Sequence, residues 1–123
     1  IGGYMGYSIA LAAAGCEVLE YEHTGSYQGD WYALVKYQDE VGVVTGNYGS
    51  CSVCDSFEAE FNYNDDEKPD YQERLAAFGE TYLPLLPIDL QIKNLTASIA
   101  DYDWGDEKEV LKLLISWKEK YAI

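Results

Sequence analysis

The most specific chemical spacing in the chain is Cys51-Ser-Val-Cys54, two thiols three positions apart beyond a glycine-bearing turn. Where a strand leads into such a pair at a helix N-terminus, the helix dipole lowers the thiol pKa and makes a reactive thiolate. A thiol oxidoreductase using Cys51 and Cys54 is one reading of it. The same cysteines with Cys16 and the single histidine, His23, make a Cys3His set, the donor chemistry of structural zinc. A small zinc-stabilised module using Cys16, His23, Cys51 and Cys54 is therefore a second reading. Cys16 and His23 stand seven apart, however, and zinc ligands come in tighter pairs. The plain alternative makes Cys16 and Cys54 small apolar core residues and leaves Cys51 in the turn.

Other motifs are weaker. Gly46 and Gly49 permit tight backbone geometry before a helix, as an anion site requires, but no Lys or Arg occurs between Lys36 and Lys68. Neither G-x-x-x-x-G-K-[ST] nor G-x-G-x-x-G is present. Asp101-Tyr-Asp103-Trp-Gly105-Asp106 begins like a calcium loop, but Lys112 stands where the closing bidentate Glu belongs. Asn94-Leu-Thr96 matches a glycosylation acceptor, informative only in a secreted chain. Leu11-Ala-Ala-Ala-Gly15-Cys16 has the form of a lipoprotein cleavage box, yet no Lys or Arg precedes Lys36 to supply a basic n-region. The expectation is no lipidation, no cofactor and no catalytic constellation.

Charge is the more informative signal. Of 123 residues, 22 are Asp or Glu and 8 are Lys or Arg, a net charge of −14. Residues 1–67 carry twelve acids against Lys36 alone, a net of −11, and residues 68–123 carry a net of −3. A field of this sign repels nucleic acid and anionic membrane and favours a basic protein partner. The alternative is that acidity only maintains solubility. Three cysteines, an odd number, fit a reducing compartment better than a disulfide framework. No apolar run approaches the ~20 residues of a membrane span.

The elements that must position these residues follow from periodicity. Residues 4–14 read as a short helix stopped by Gly15. From Cys16 the period becomes two, with Leu19, Tyr21 and His23 alternating against Glu20 and Glu22. Trp31, Ala33, Val35 and Tyr37 share one face of a second strand. Gln38-Asp39-Glu40 turns the chain, and Val41, Val43 and Thr45 make a third strand. Ser52 with Asp55 resembles a capping box before a helix that carries Phe57 and Phe61. Asn62 to Asp70 is polar and reads as a mobile link, with Pro69 at a first helical position. Tyr71, Leu75, Phe78 and Tyr82 keep helical spacing, as do Ile88, Ile92, Leu95 and Ile99. Asp106 with Glu109 caps a last helix with the stripe Val110, Leu113, Leu114, Trp117 and Tyr121. The expected fold is α+β in a single domain of 1–123: a three-stranded antiparallel meander preceded by a short helix and followed by about four helices.

Tyr48-Gly-Ser-Cys-Ser-Val-Cys-Asp55 resembles a run in short bacteriophage-encoded proteins, where Gly-Ser-Cys-Ser-x-Cys-Asp follows a strand. The resemblance extends upstream through Cys16-Glu-Val-Leu-Glu-Tyr21 and Tyr27-Gln-Gly-Asp-Trp31 but not into the second half. It implies a phage or prophage origin and brings no activity or catalytic residue with it. Together with acidity and 12 tyrosines, it points to a non-enzymatic inhibitor. Such a protein would imitate duplex phosphates and occupy the nucleic-acid groove of a host defence enzyme in the bacterial cytoplasm. Tyr and Trp are the side chains that concentrate binding energy at interfaces. The residues expected to meet the partner are Glu17, Glu20, Glu22, Asp30, Asp39 and Glu40 on the sheet, and Asp55, Glu58 and Glu60 on the next helix. Each of them has a plainer reading as part of a solvated face.

Overall fold

A computed structural model of the chain describes residues 5–50, 55–61, 64–101 and 106–123. Its elements are α1 (Met5–Ala13), β1 (Glu17–His23), β2 (Gly29–Tyr37), β3 (Glu40–Tyr48), α2 (Ser56–Glu60), a 3-10 turn (Asp65–Glu67), α3 (Tyr71–Glu80), α4 (Ile88–Asp101) and α5 (Asp106–Tyr121). The three strands form one antiparallel sheet in the order β1-β2-β3. The α+β order expected from periodicity is the observed one.

The central strand explains the layering. Trp31 through Val35 are all buried, whereas a strand with one wet face would alternate. Trp31, Ala33 and Val35 face α1, α2 and α3, and Tyr32 and Leu34 face α4 and α5. The sheet is thus the middle of three layers. Tyr7 from α1 lies at the centre of the first cluster, stacked on Trp31 at 5.2 Å and edge-on to Tyr82 at 5.8 Å. Gly79 of α3 allows α1 to come close, since a Cβ there would lie 2.1 Å from the Ala10 carbonyl oxygen.

Two local features set the register. Tyr37 and Glu40 pair across a two-residue turn in which Gln38 and Asp39 have φ of 50° and 67°. Positive φ at both central residues is the type I′ geometry that matches strand twist. In β1 the pairing slips between Val18 and Glu20, a bulge at Leu19. It changes the phase of the strand: Val18 and Tyr21 pack toward α1, and Leu19 packs with the α4–α5 cluster. The simple alternation of Leu19, Tyr21 and His23 is corrected by that extra residue. The outer edge of β3 is closed by Leu86, which exchanges backbone hydrogen bonds of 2.7 and 2.9 Å with Val43.

Two further expectations are corrected. Asp55 is itself the N-cap of α2, its carboxylate accepting from the Glu58 amide, so the cap motif is Asp55-x-x-Glu58 and not Ser52–Asp55. From Asn64 to Asp70 the chain is tied to its neighbours through Asp65. Asp65 is buried and takes Lys68 at 2.8 Å and Arg74 at 3.2 Å, while Arg74 also donates to the Glu60 carbonyl oxygen. Pro69 lies in the turn before α3, which starts at Tyr71 with Asp70 as its N-cap. Cys51, Ser52, Cys54 and most of the Asp101–Asp106 loop lie outside the described residues. No described helix is long and apolar enough to cross a membrane.

Candidate partner-binding face

The acidic residues singled out from sequence do not share one surface. The sheet register separates them into two ends. At one end lie Glu17, opposite Lys36, and the hairpin residues Asp39 and Glu40. At the other lie Glu22, opposite Tyr32, and Asp30, next to the His23–Trp31 pair. Between the ends, Glu20 is engaged. Lys120 lies 2.6 Å from its carboxylate and the Tyr121 hydroxyl 3.1 Å away, and hydrogen bonding from Lys120 holds the Glu20 carboxyl below the usual range.

The second helix presents little to a partner. Asp55 is only 2 % exposed, and its carboxylate accepts from the Tyr7 hydroxyl at 2.8 Å, the Gly49 amide at 2.9 Å and the Glu58 amide at 2.8 Å. A carboxylate so enclosed stabilises the fold and cannot imitate a phosphate, so Asp55 leaves the partner-binding set. Glu58 is half-buried and Glu60 is exposed beside Arg74 at 3.6 Å.

The zinc set fails on distance. Cys16 and His23 sit at opposite ends of β1, and seven residues at ~3.3 Å each place them roughly 20 Å apart. One ion with bonds of about 2.0–2.3 Å cannot reach both. Cys16 is instead a buried core residue whose thiol pKa is raised by burial. His23 packs edge-on against Tyr48, with Nδ1 3.1 Å from the Tyr48 hydroxyl, which donates to the Thr24 carbonyl oxygen at 2.6 Å. Among the described residues no three His, Cys, Asp or Glu side chains could hold a metal ion. Cys51 and Cys54 lie outside the described residues.

The end of the sheet that carries Glu22 and Asp30 gains charge from α5, including Asp106 and Glu109, which the sequence reads as a helix cap. The first turn of α5 brings Asp106, Glu107 and Glu109 against it. The packing perturbs its neighbours. The Asp30 carboxyl is raised above the ordinary range, first by desolvation and then by the charge of Asp106. The buried Tyr32 hydroxyl is pushed up to about 12 by burial, then by Asp30, Glu107 and Asp106. Two bases lie in the first two turns of α5: Lys112 lies 3.4 Å from Glu109 in an exposed pair, and Lys108 also has a partner. The α5 dipole favours acids here, which explains their presence in the helix but not their convergence with Asp30 and Glu22. No local sequence signal reveals that convergence, because it comes from the docking of α5 across the sheet. The cluster borders an open cavity of about 150 Å³ between β1 and α5, walled by Tyr32, Val110 and Leu113 and flanked by Glu22, His23, Thr24 and Glu109. Chemically the arrangement can attract and seat a cation. Searches for a matching family model, a similar curated protein and a similar solved structure each find none for this chain.

Proposed function

We propose that this chain is a non-enzymatic interaction protein of phage type that binds a basic partner through the acidic end of its sheet. The partner class is a bacterial host enzyme that processes nucleic acid, engaged in its cationic groove in the host cytoplasm. The observation that carries the reading is the convergence of Glu22 and Asp30 with Asp106, Glu107 and Glu109 from a distant part of the chain. Burial and then the charge of Asp106 raise the Asp30 carboxyl, and a cationic surface relieves that repulsion. The Debye length at physiological salt is about 8 Å, so charges clustered at one end act together where scattered ones do not.

The test is capture from bacterial lysate on the immobilised chain, with and without excess duplex DNA. A DNA- or RNA-processing enzyme that is retained, and that DNA displaces, supports the reading. Capture of no such enzyme, or of one indifferent to DNA, removes it and leaves the charge as a means of solubility.

A further inference from the structure

We infer that the cavity between β1 and α5 is a socket for one lysine side chain of the partner, an inference that rests on the reading above. The walls are apolar and the mouth is acidic. Tyr32, Val110 and Leu113 line the cavity, and Glu22 on β1 and Glu109 on α5 border it from opposite elements, with His23 and Thr24 beside Glu22. That division suits a side chain with an aliphatic stem and a cationic head, which buries its methylenes and keeps its charge among carboxylates.

Size selects among such ligands. The cavity, of about 150 Å³ and open to solvent, has room for one side chain rather than a folded segment. Lysine brings a compact ammonium on an unbranched stem that fits between Glu22 and Glu109, whereas the guanidinium of arginine is wider and planar. A bare divalent ion is disfavoured because no group of three metal-ligating side chains exists among the described residues. The chain's own Lys112 does not close the socket. It meets Glu109 at 3.4 Å with both side chains about three-quarters exposed, the kind of pair an incoming ammonium displaces at little cost.

The experiment titrates the whole nitrogen-15-labelled chain with N-acetyl-lysine methylamide and follows backbone amide shifts. N-acetyl-norleucine methylamide and N-acetyl-arginine methylamide serve as comparisons. The expected result is saturable shifts centred on Glu22, Tyr32, Val110 and Leu113, weaker ones with arginine and none with norleucine. Glu109→Gln, at an exposed position, lowers the affinity about threefold, within the range of a single surface ion pair. Leu113→Phe fills the cavity without touching a charge and abolishes the shifts. If that variant does not fold, Glu109→Gln decides. Equal shifts with norleucine, shifts spread evenly to Asp39 and Glu40, or none at 100 mM would overturn the socket. Partner capture separates the two ideas. A DNA-displaced enzyme held equally by the parent and Leu113→Phe overturns the socket and leaves the proposed function standing. Lysine-specific shifts without any captured enzyme do the reverse.

Discussion

Replacing Tyr7 by Phe removes the oxygen of a fully buried hydroxyl. That hydroxyl donates to Asp55 Oδ1 at 2.8 Å and accepts from the Phe57 amide at 3.2 Å, so it joins α1 to the first turn of α2. Tyr7 is fully buried, and burial raises its pKa strongly, so the hydroxyl stays protonated and able to donate. A hydrogen bond to a charged group contributes about 1.5–3 kcal/mol, and the stranded Phe57 N–H adds roughly another 1. The expected loss is about 2–4 kcal/mol, a large part of the ~6–18 kcal/mol available to a chain of this size. At roughly 4 °C per kcal/mol, Tm falls by about 8–16 °C. Urea unfolding followed by tryptophan emission measures it, because Trp31 stacks on the Tyr7 ring. The midpoint should fall with an unchanged m-value. In the double-mutant cycle with Asp55→Asn, Tyr7 and Asp55 should couple by at least about 1 kcal/mol. A loss below about 0.5 kcal/mol, or strictly additive variants, would refute the network.

Gly79→Ala should destabilise by about 2 kcal/mol or more despite the better helix propensity of alanine. The new methyl meets the Ala10 backbone at 2.1 Å, and the α1–α3 contact must open; an unchanged or raised melting temperature would contradict the packing. Asp30→Asn should raise stability at neutral pH by no more than about 0.5 kcal/mol, because the position is exposed to solvent screening. Its sign follows from linkage. A carboxyl whose folded pKa is raised binds more protons folded than unfolded, so its penalty grows as pH rises through the ordinary carboxylate range, and parent and variant should melt alike at pH 3. Glu20→Gln should behave oppositely. The lowered Glu20 pKa contributes stability above the ordinary range, which is lost as pH falls through the folded value, so the variant is less stable at pH 7 and matches the parent in acid.

Elements whose pattern is local were legible in the sequence. The alternation of Trp31, Ala33 and Val35 and the stripe of Val110, Leu114 and Trp117 each identify an element and its buried face. Features set by tertiary contact were not. The bulge at Leu19 appears only when β1 is aligned on β2, and it inverts the face of the residue that precedes Glu20. Asp65 reads as one acid in a polar run until Arg74, nine residues later, folds back on it. The candidate site is the extreme case. Glu22 and Asp30 were named from the sheet, but their acidic neighbours come from α5, more than seventy residues on. Asp55, which seemed equivalent to them, is enclosed by Tyr7 and Gly49. The Asp55-x-x-Glu58 spacing is itself a capping signature and was the available sign that this carboxylate had a structural partner.

The central claim is that one end of the sheet, and not acidity in general, meets the partner. Two charge-reversed chains of equal net charge decide it. One carries Glu22→Lys and Glu109→Lys at the α5 end; the other carries Asp39→Lys and Glu40→Lys at the hairpin. Both are used to capture the DNA-displaced enzyme from lysate beside the parent. The account predicts that the α5-end variant loses the enzyme and the hairpin variant retains it. Equal loss, or loss at the hairpin alone, contradicts it.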